Sequence, residues 1–97
     1  MNLTKLRKIE REIASMRQSS PKARDLEELA RSLGRTIFNR GKEPTWVNKY
    51  FSELPPLSIP HHGGRDLATG TKHSILTQLE DDLAKWHEKI ESNGKSH

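Results

Sequence analysis

The chain has 97 residues, which suits one domain with a small hydrophobic core rather than two independently folding units. It contains no cysteine and no apolar run near the roughly 20 residues of a membrane span, so we expect a cytoplasmic protein without disulfides or thiolate metal sites. The 17 Lys+Arg exceed the 13 Asp+Glu, and the net charge of +4 favours a polyanionic partner without selecting nucleic acid among the possibilities.

The first 17 residues predict a basic amphipathic helix over about 3–17, because apolar residues recur at steps of three and four. These residues are Leu3, Leu6, Ile9, Ile13 and Met16. We interpret residues 1–19 as an extension that packs on the domain, offers its basic surface to RNA or a membrane, or does both. The end of the chain is acidic from Glu80 to Glu91, so the two ends could attract each other.

A second helix is predicted after Pro21, with Asp25 and Glu28 forming a capping box at its start. Its core-facing residues are Leu26, Leu29, Ala30 and Leu33. Gly34 follows as the residue that ends the helix, because glycine adopts positive φ at little cost.

Residues 35–40, 45–50 and 56–59 predict three short antiparallel strands in meander order, with Trp46 in the core. A last helix is predicted from 69–71 to about residue 92, where Trp86 would cover the first helix or a partner, and residues 93–97 form a tail. The order α-α-β-β-β-α defines an α+β fold with one buried and one accessible sheet face.

Two segments resemble the sequence pattern of a known protein family, one just before the last helix and one at its start. Residues 57–67 read LSIPHHGGRDL and residues 70–79 read GTKHSILTQL. They resemble HicA-type toxins, in which a strand ends in I-P-x-H-G and a loop leads to G-T-x-x-S-I-L-x-Q. Residues 20–29 also resemble the approach to the family's first core helix, so we assign residues 20–92 to a HicA-like domain.

The resemblance implies a double-stranded-RNA-binding-domain-like fold and a toxin of a type II toxin-antitoxin system. Such a toxin cleaves mRNA as an endonuclease without a metal or another cofactor. It is neutralised by a HicB-type antitoxin, and an oligomer could form through that complex.

The first hairpin departs from the family pattern G-S-H-x-x-W/F, because Glu43 stands where the catalytic histidine is expected. RNA cleavage by the 2′-hydroxyl needs a base, a proton donor and a cation on the phosphorane. Three explanations stay open: Glu43 is an alternative base, a histidine elsewhere has replaced it, or this protein binds RNA without cutting it.

The candidate catalytic residues are Glu43 or His62 as base and Arg40 or Lys42 as the stabilising cation. The candidate RNA-binding residues are Arg65, Gly70, Thr71, Lys72 and His73, the last four at a helix start where free amides can hold phosphate. The same residues would also suit ordinary helix initiation. We expect no metal site, because the adjacent histidines 61 and 62 do not converge on one ion. The alternative function is a non-catalytic RNA-binding or protein-interaction module of the same fold.

Overall fold

A computed structural model describes residues 1–38, 44–60 and 67–94 of the chain. Their elements, in chain order, are α1 (Leu3–Arg17), α2 (Ala23–Ser32), β1 (Arg35–Phe38), β2 (Thr45–Asn48), β3 (Leu57–Ser58) and α3 (Thr69–Gly94). The predicted α+β class and the order α-α-β-β-β-α are therefore confirmed.

The strands form one antiparallel sheet in the predicted meander order, β1-β2-β3. Two described strands are shorter than predicted. β2 ends at Asn48 because the Asn48 Oδ1 accepts hydrogen bonds from the amides of Tyr50 and Phe51, which turns the chain away from the ladder. β3 is limited to Leu57–Ser58, since prolines lie at positions 55, 56 and 60 and proline cannot donate to a ladder.

The second helix begins earlier than the predicted cap at Asp25. Its N-cap is Lys22, and the Asp25 carboxylate lies in the first turn, where it accepts from the Lys22 amide at 2.9 Å. The helix ends as predicted, because Gly34 adopts a φ of +96°. Glycine is also needed there for space, since a Cβ on Gly34 would lie 2.5 Å from Cδ2 of Tyr50.

The core is formed by apolar residues from every described element except β1, whose one buried residue is Arg35. α1 contributes its buried Leu6, Ile9 and Ile13 and packs along α3. Trp46 is 1% exposed, which confirms its predicted core position. Trp86 is also buried, and its Nε1 donates to the Leu33 carbonyl at 2.7 Å. In the described part of the chain, no helix is long and apolar enough to cross a membrane.

Opposite charges join the first and last helices, as the sequence predicts. Arg17 near the end of α1 forms an ion pair with Glu80 of α3. Further along, His87 Nε2 of α3 lies 3.9 Å from a carboxylate oxygen of Glu10 of α1. The apolar stripe of α1 and these polar contacts together hold the helix on α3.

Candidate nucleic-acid interface

Phe38, Thr45 and Ser58 lie in one row across the sheet, because Thr45 is the pairing partner of both other residues. β1 ends in this row, β2 begins in it, and β3 runs towards it. The same end of the sheet therefore holds the described residues on either side of segment 39–43. It also holds the residues that precede segment 61–66. We call this row the sheet end.

Five of the candidate residues lie outside the described part of the chain. They are Arg40, Lys42, Glu43, His62 and Arg65. Their catalytic and RNA-binding assignments stay predictions. The sheet end shows only where the chain enters and leaves segment 39–43 and where it enters segment 61–66.

One face of the sheet is accessible, as predicted. Cross-strand partners share a face, so Thr36 and Val47 lie on the same side as the sheet end, opposite the buried Trp46. Phe38 on this face is 46% exposed, and Ser58 is exposed as well. An aromatic ring beside hydroxyl groups can contact both the bases and the riboses of an RNA strand.

The first turn of α3 follows segment 61–66, and its residues Thr69 and Gly70 are exposed. The first i to i−4 hydrogen bond of the helix runs from the Lys72 amide to the Ala68 carbonyl at 2.9 Å, so the amides of Thr69, Gly70 and Thr71 precede the helical ladder. Gly70 is exposed, and no atom lies within 4 Å of the position that a Cβ would occupy. This geometry would let a phosphate approach the positive end of the helix dipole.

Lys72 faces α1 instead of solvent. It is 7% exposed, and its Nζ donates to the carbonyls of Arg17 and Ser19 at 2.9 Å each. These carbonyls lie at and just beyond the end of α1, where backbone acceptors lack helical partners. The ammonium group thus caps α1 and ties it to α3.

His73 takes part in the same joint between the helices. Its Nδ1 lies 2.9 Å from Nη1 of Arg17, and because a guanidinium only donates, the ring nitrogen is the acceptor. Arg17 also donates to the Thr77 hydroxyl at 3.2 Å and pairs with Glu80. The described contacts of Lys72 and His73 are structural, whereas the phosphate-binding roles of Gly70 and Thr71 stay predictions.

A buried polar network lies behind the sheet, and we did not predict it. Arg35 Nε and Nη2 donate to the two carboxylate oxygens of Asp82 at 2.7 and 2.8 Å, and both side chains are 0% exposed. Arg35 Nη1 donates to the carbonyls of Trp46 and Pro55 at 2.8 and 3.0 Å. Asn48 Nδ2 donates to Asp82 at 3.1 Å and to the Leu33 carbonyl at 3.0 Å.

The position of Asp82 in the sequence is a signal from which this buried network could have been predicted. Asp82 follows Leu79 by three residues and precedes Trp86 by four, which places it on the apolar face of α3. A carboxylate at such a position needs a buried partner. The network fixes β1, β2 and α3 relative to one another, and thereby fixes the sheet end.

Exposed basic residues are numerous among the described positions, and α1 supplies four of them. The set comprises Lys5, Arg7, Lys8, Arg11, Lys22, Arg24, Arg31, Lys49 and Lys89. Within residues 1–38, 44–60 and 67–94, no group of three His, Asp or Glu is placed to hold a metal ion.

Comparisons of this chain with protein-family models, with curated proteins and with solved structures each found no match.

Proposed function

We propose that this protein is a HicA-like toxin that binds mRNA across the accessible sheet face and the start of α3. The register of the sheet carries the proposal. It joins Phe38, Thr45 and Ser58 in one row, so the chain enters the two segments with the candidate catalytic residues from the same end of the sheet. The exposed first turn of α3 adds backbone donors for a phosphate.

Binding is the central part of the proposal, and cleavage is its extension. In a cleaving protein, Glu43 or His62 would take the proton of the 2′-hydroxyl, whose oxygen then attacks the adjacent phosphorus. Arg40 or Lys42 would stabilise the phosphorane as the 5′-oxygen leaves and receives a proton. Glutamate is a poor proton donor at neutral pH, so His62 is better suited to that second step.

The proposal includes a cytoplasmic location and a HicB-type antitoxin, because a toxin that acts on mRNA has to be held inactive where mRNA is translated. A double-stranded-RNA-binding-domain-like fold is part of the same proposal, since the meander sheet and flanking helices suit it. Expression of the toxin alone should arrest growth, and co-expression of its antitoxin should relieve the arrest.

A nuclease and binding assay tests the proposal. Purified protein is incubated with mRNA at neutral pH in EDTA, beside Glu43→Ala, His62→Ala and, as a control, Glu91→Ala, which alters an exposed glutamate of α3. Binding should weaken steeply as salt rises, because phosphate contacts release counterions. Cleavage that survives both Glu43→Ala and His62→Ala would refute the catalytic assignment, and the absence of salt-sensitive binding would refute RNA recognition.

A protein-interaction module is the second candidate. It is favoured by β1, an edge strand on which Ile37 is 47% exposed and Phe38 is 46% exposed. Edge strands with apolar side chains accept a further strand from a partner. This function gains support if the purified protein binds no RNA even at low salt.

A further inference from the structure

A second basic surface lies at the opposite end of β2 from the sheet end. A groove there is lined by Met1, Lys5, Arg31, Ser32, Gly34, Tyr50 and Trp86. The lining comes from the first residue and α1, from the end of α2, from the turn before β1, from the chain after β2 and from α3. We call it the Tyr50 groove.

The ring of Tyr50 is held in place, yet much of it remains accessible. Asn48 fixes the backbone through its bond to the Tyr50 amide at 2.9 Å, and Gly34 leaves room for the ring. The ring centroid lies 5.0 Å from that of Trp86 at an interplanar angle of 57°. Tyr50 is nevertheless 53% exposed. A fixed and exposed aromatic ring is the kind of platform on which nucleobases stack.

Cations surround this ring. The ammonium groups of Lys49 and Lys89 lie 5.8 and 5.7 Å from the Tyr50 centroid, and Lys5 and Arg31 line the groove itself. Every lining residue is neutral or cationic. By contrast, Lys85 on the same helix as Lys89 lies beside two carboxylates, those of Glu53 and Glu88.

Scattered lysines on a surface often serve only solubility. Here Lys49 and Lys89 lie at one exposed aromatic ring, while Lys5 and Arg31 line the groove beside it, with the Arg31 guanidinium 4.9 Å from the centroid of the Trp46 ring. Sites for single-stranded nucleic acid combine aromatic rings and cations in this way. A purely electrostatic patch would need no ring, and an apolar docking site would not concentrate positive charge.

We propose that the Tyr50 groove binds a nucleotide of single-stranded RNA, with its base stacked on Tyr50 and its phosphates near Lys5 and Arg31. The inference rests on the proposed RNA binding and adds a second contact site to it. β2 separates the groove from the sheet end by about 10 Å, at roughly 3.3 Å per residue over Thr45–Asn48. One RNA strand could thus contact both ends of the sheet.

The test measures binding of a fluorescein-labelled 12-mer of oligouridylate by anisotropy over a salt series. Tyr50→Ala should weaken binding by about five- to a hundredfold, while Tyr50→Phe keeps the stacking ring and should bind nearly as well as the unchanged protein. Lys5→Glu should weaken binding and reduce the salt slope by roughly 0.7 for one lost phosphate contact.

Arg24→Glu is the matched control for Lys5→Glu. Both residues are exposed and lie in the first turn of a helix, and both changes lower the net charge equally. A glutamate in a first turn is also favourable for the helix, so neither variant should unfold. Heparin, which is a polyanion without bases, is the control for Tyr50→Ala and should bind both proteins equally.

Equal affinity of the unchanged protein and Tyr50→Ala for the oligonucleotide would overturn the inference, as would equal losses in Lys5→Glu and Arg24→Glu. Crosslinking with 4-thiouridine RNA should give an adduct on Tyr50, and adducts confined to other residues would also overturn it. If only His62→Ala weakens binding, the groove is refuted while the proposed function stands. If the unchanged protein binds no RNA, both fail.

Discussion

Arg35 and Asp82 form a two-hydrogen-bond ion pair between the first strand and the last helix, with both side chains 0% exposed. A buried ion pair contributes little net stability compared with apolar residues of the same shape, but it is costly to break because the remaining charge stays buried. Because any arrangement that separated the two groups would leave a charge buried, the pair favours the packing in which this face of α3 meets the sheet.

Asp82→Ala should lower the free energy of unfolding by about 3–5 kcal/mol, because Arg35 would be left without its carboxylate. Asp81→Ala is the control, since Asp81 is exposed beside it, and should change stability by less than about 0.5 kcal/mol. Urea unfolding followed by circular dichroism measures both. Similar midpoints for the two variants would contradict the buried network.

The double variant Arg35→Met/Asp82→Leu should be more stable than Asp82→Ala alone, because it removes both charges together. The same urea titration measures its free energy of unfolding. The difference from Asp82→Ala separates the cost of an unpaired buried charge from the cost of lost packing. A double variant as unstable as Asp82→Ala would show that packing dominates.

Replacement by alanine should have opposite effects on the stability of the protein at two of its glycines. Gly34→Ala should destabilise the protein by about 1–3 kcal/mol, because its φ is +96° and the new Cβ would meet Tyr50. Gly70→Ala should be neutral or stabilising by up to about 1 kcal/mol, because the residue lies in a helix with open space around it. Thermal unfolding of the two variants tests this contrast, and a stable Gly34→Ala would refute it.

Lys72→Met should destabilise the protein by about 1–3 kcal/mol, because the carbonyls of Arg17 and Ser19 lose a charged donor. RNA affinity of the folded variant should change little if the ammonium acts only between the helices. Lys8→Met is the control, since Lys8 is an exposed lysine of α1. If Lys72→Met had normal stability but bound RNA poorly, the structural role would be wrong and Lys72 would belong to the RNA-binding surface.

The elements could be predicted because their signals are local. The three- and four-residue spacing from Leu3 to Met16 defines α1, and Gly34 ends α2 because positive φ is cheap only for glycine. Three short strand patterns are separated by a glycine and by prolines, and these signals were enough to predict the meander order of the sheet. The opposite charges of the two ends also predicted the contact between α1 and α3.

The roles of individual polar residues were decided only by tertiary structure. Lys72 belongs to a motif that suggests phosphate binding, yet the approach of the end of α1 turns its ammonium towards two carbonyls. Tyr50 has no distinctive sequence pattern, and its surroundings combine residues 1–5, 31–34 and 86–89, which are distant from one another along the chain. The sequence by itself thus determined helix, strand and order, because these depend on spacing. Tertiary structure decided which charges are buried and which face solvent, because that depends on neighbours that no local pattern specifies.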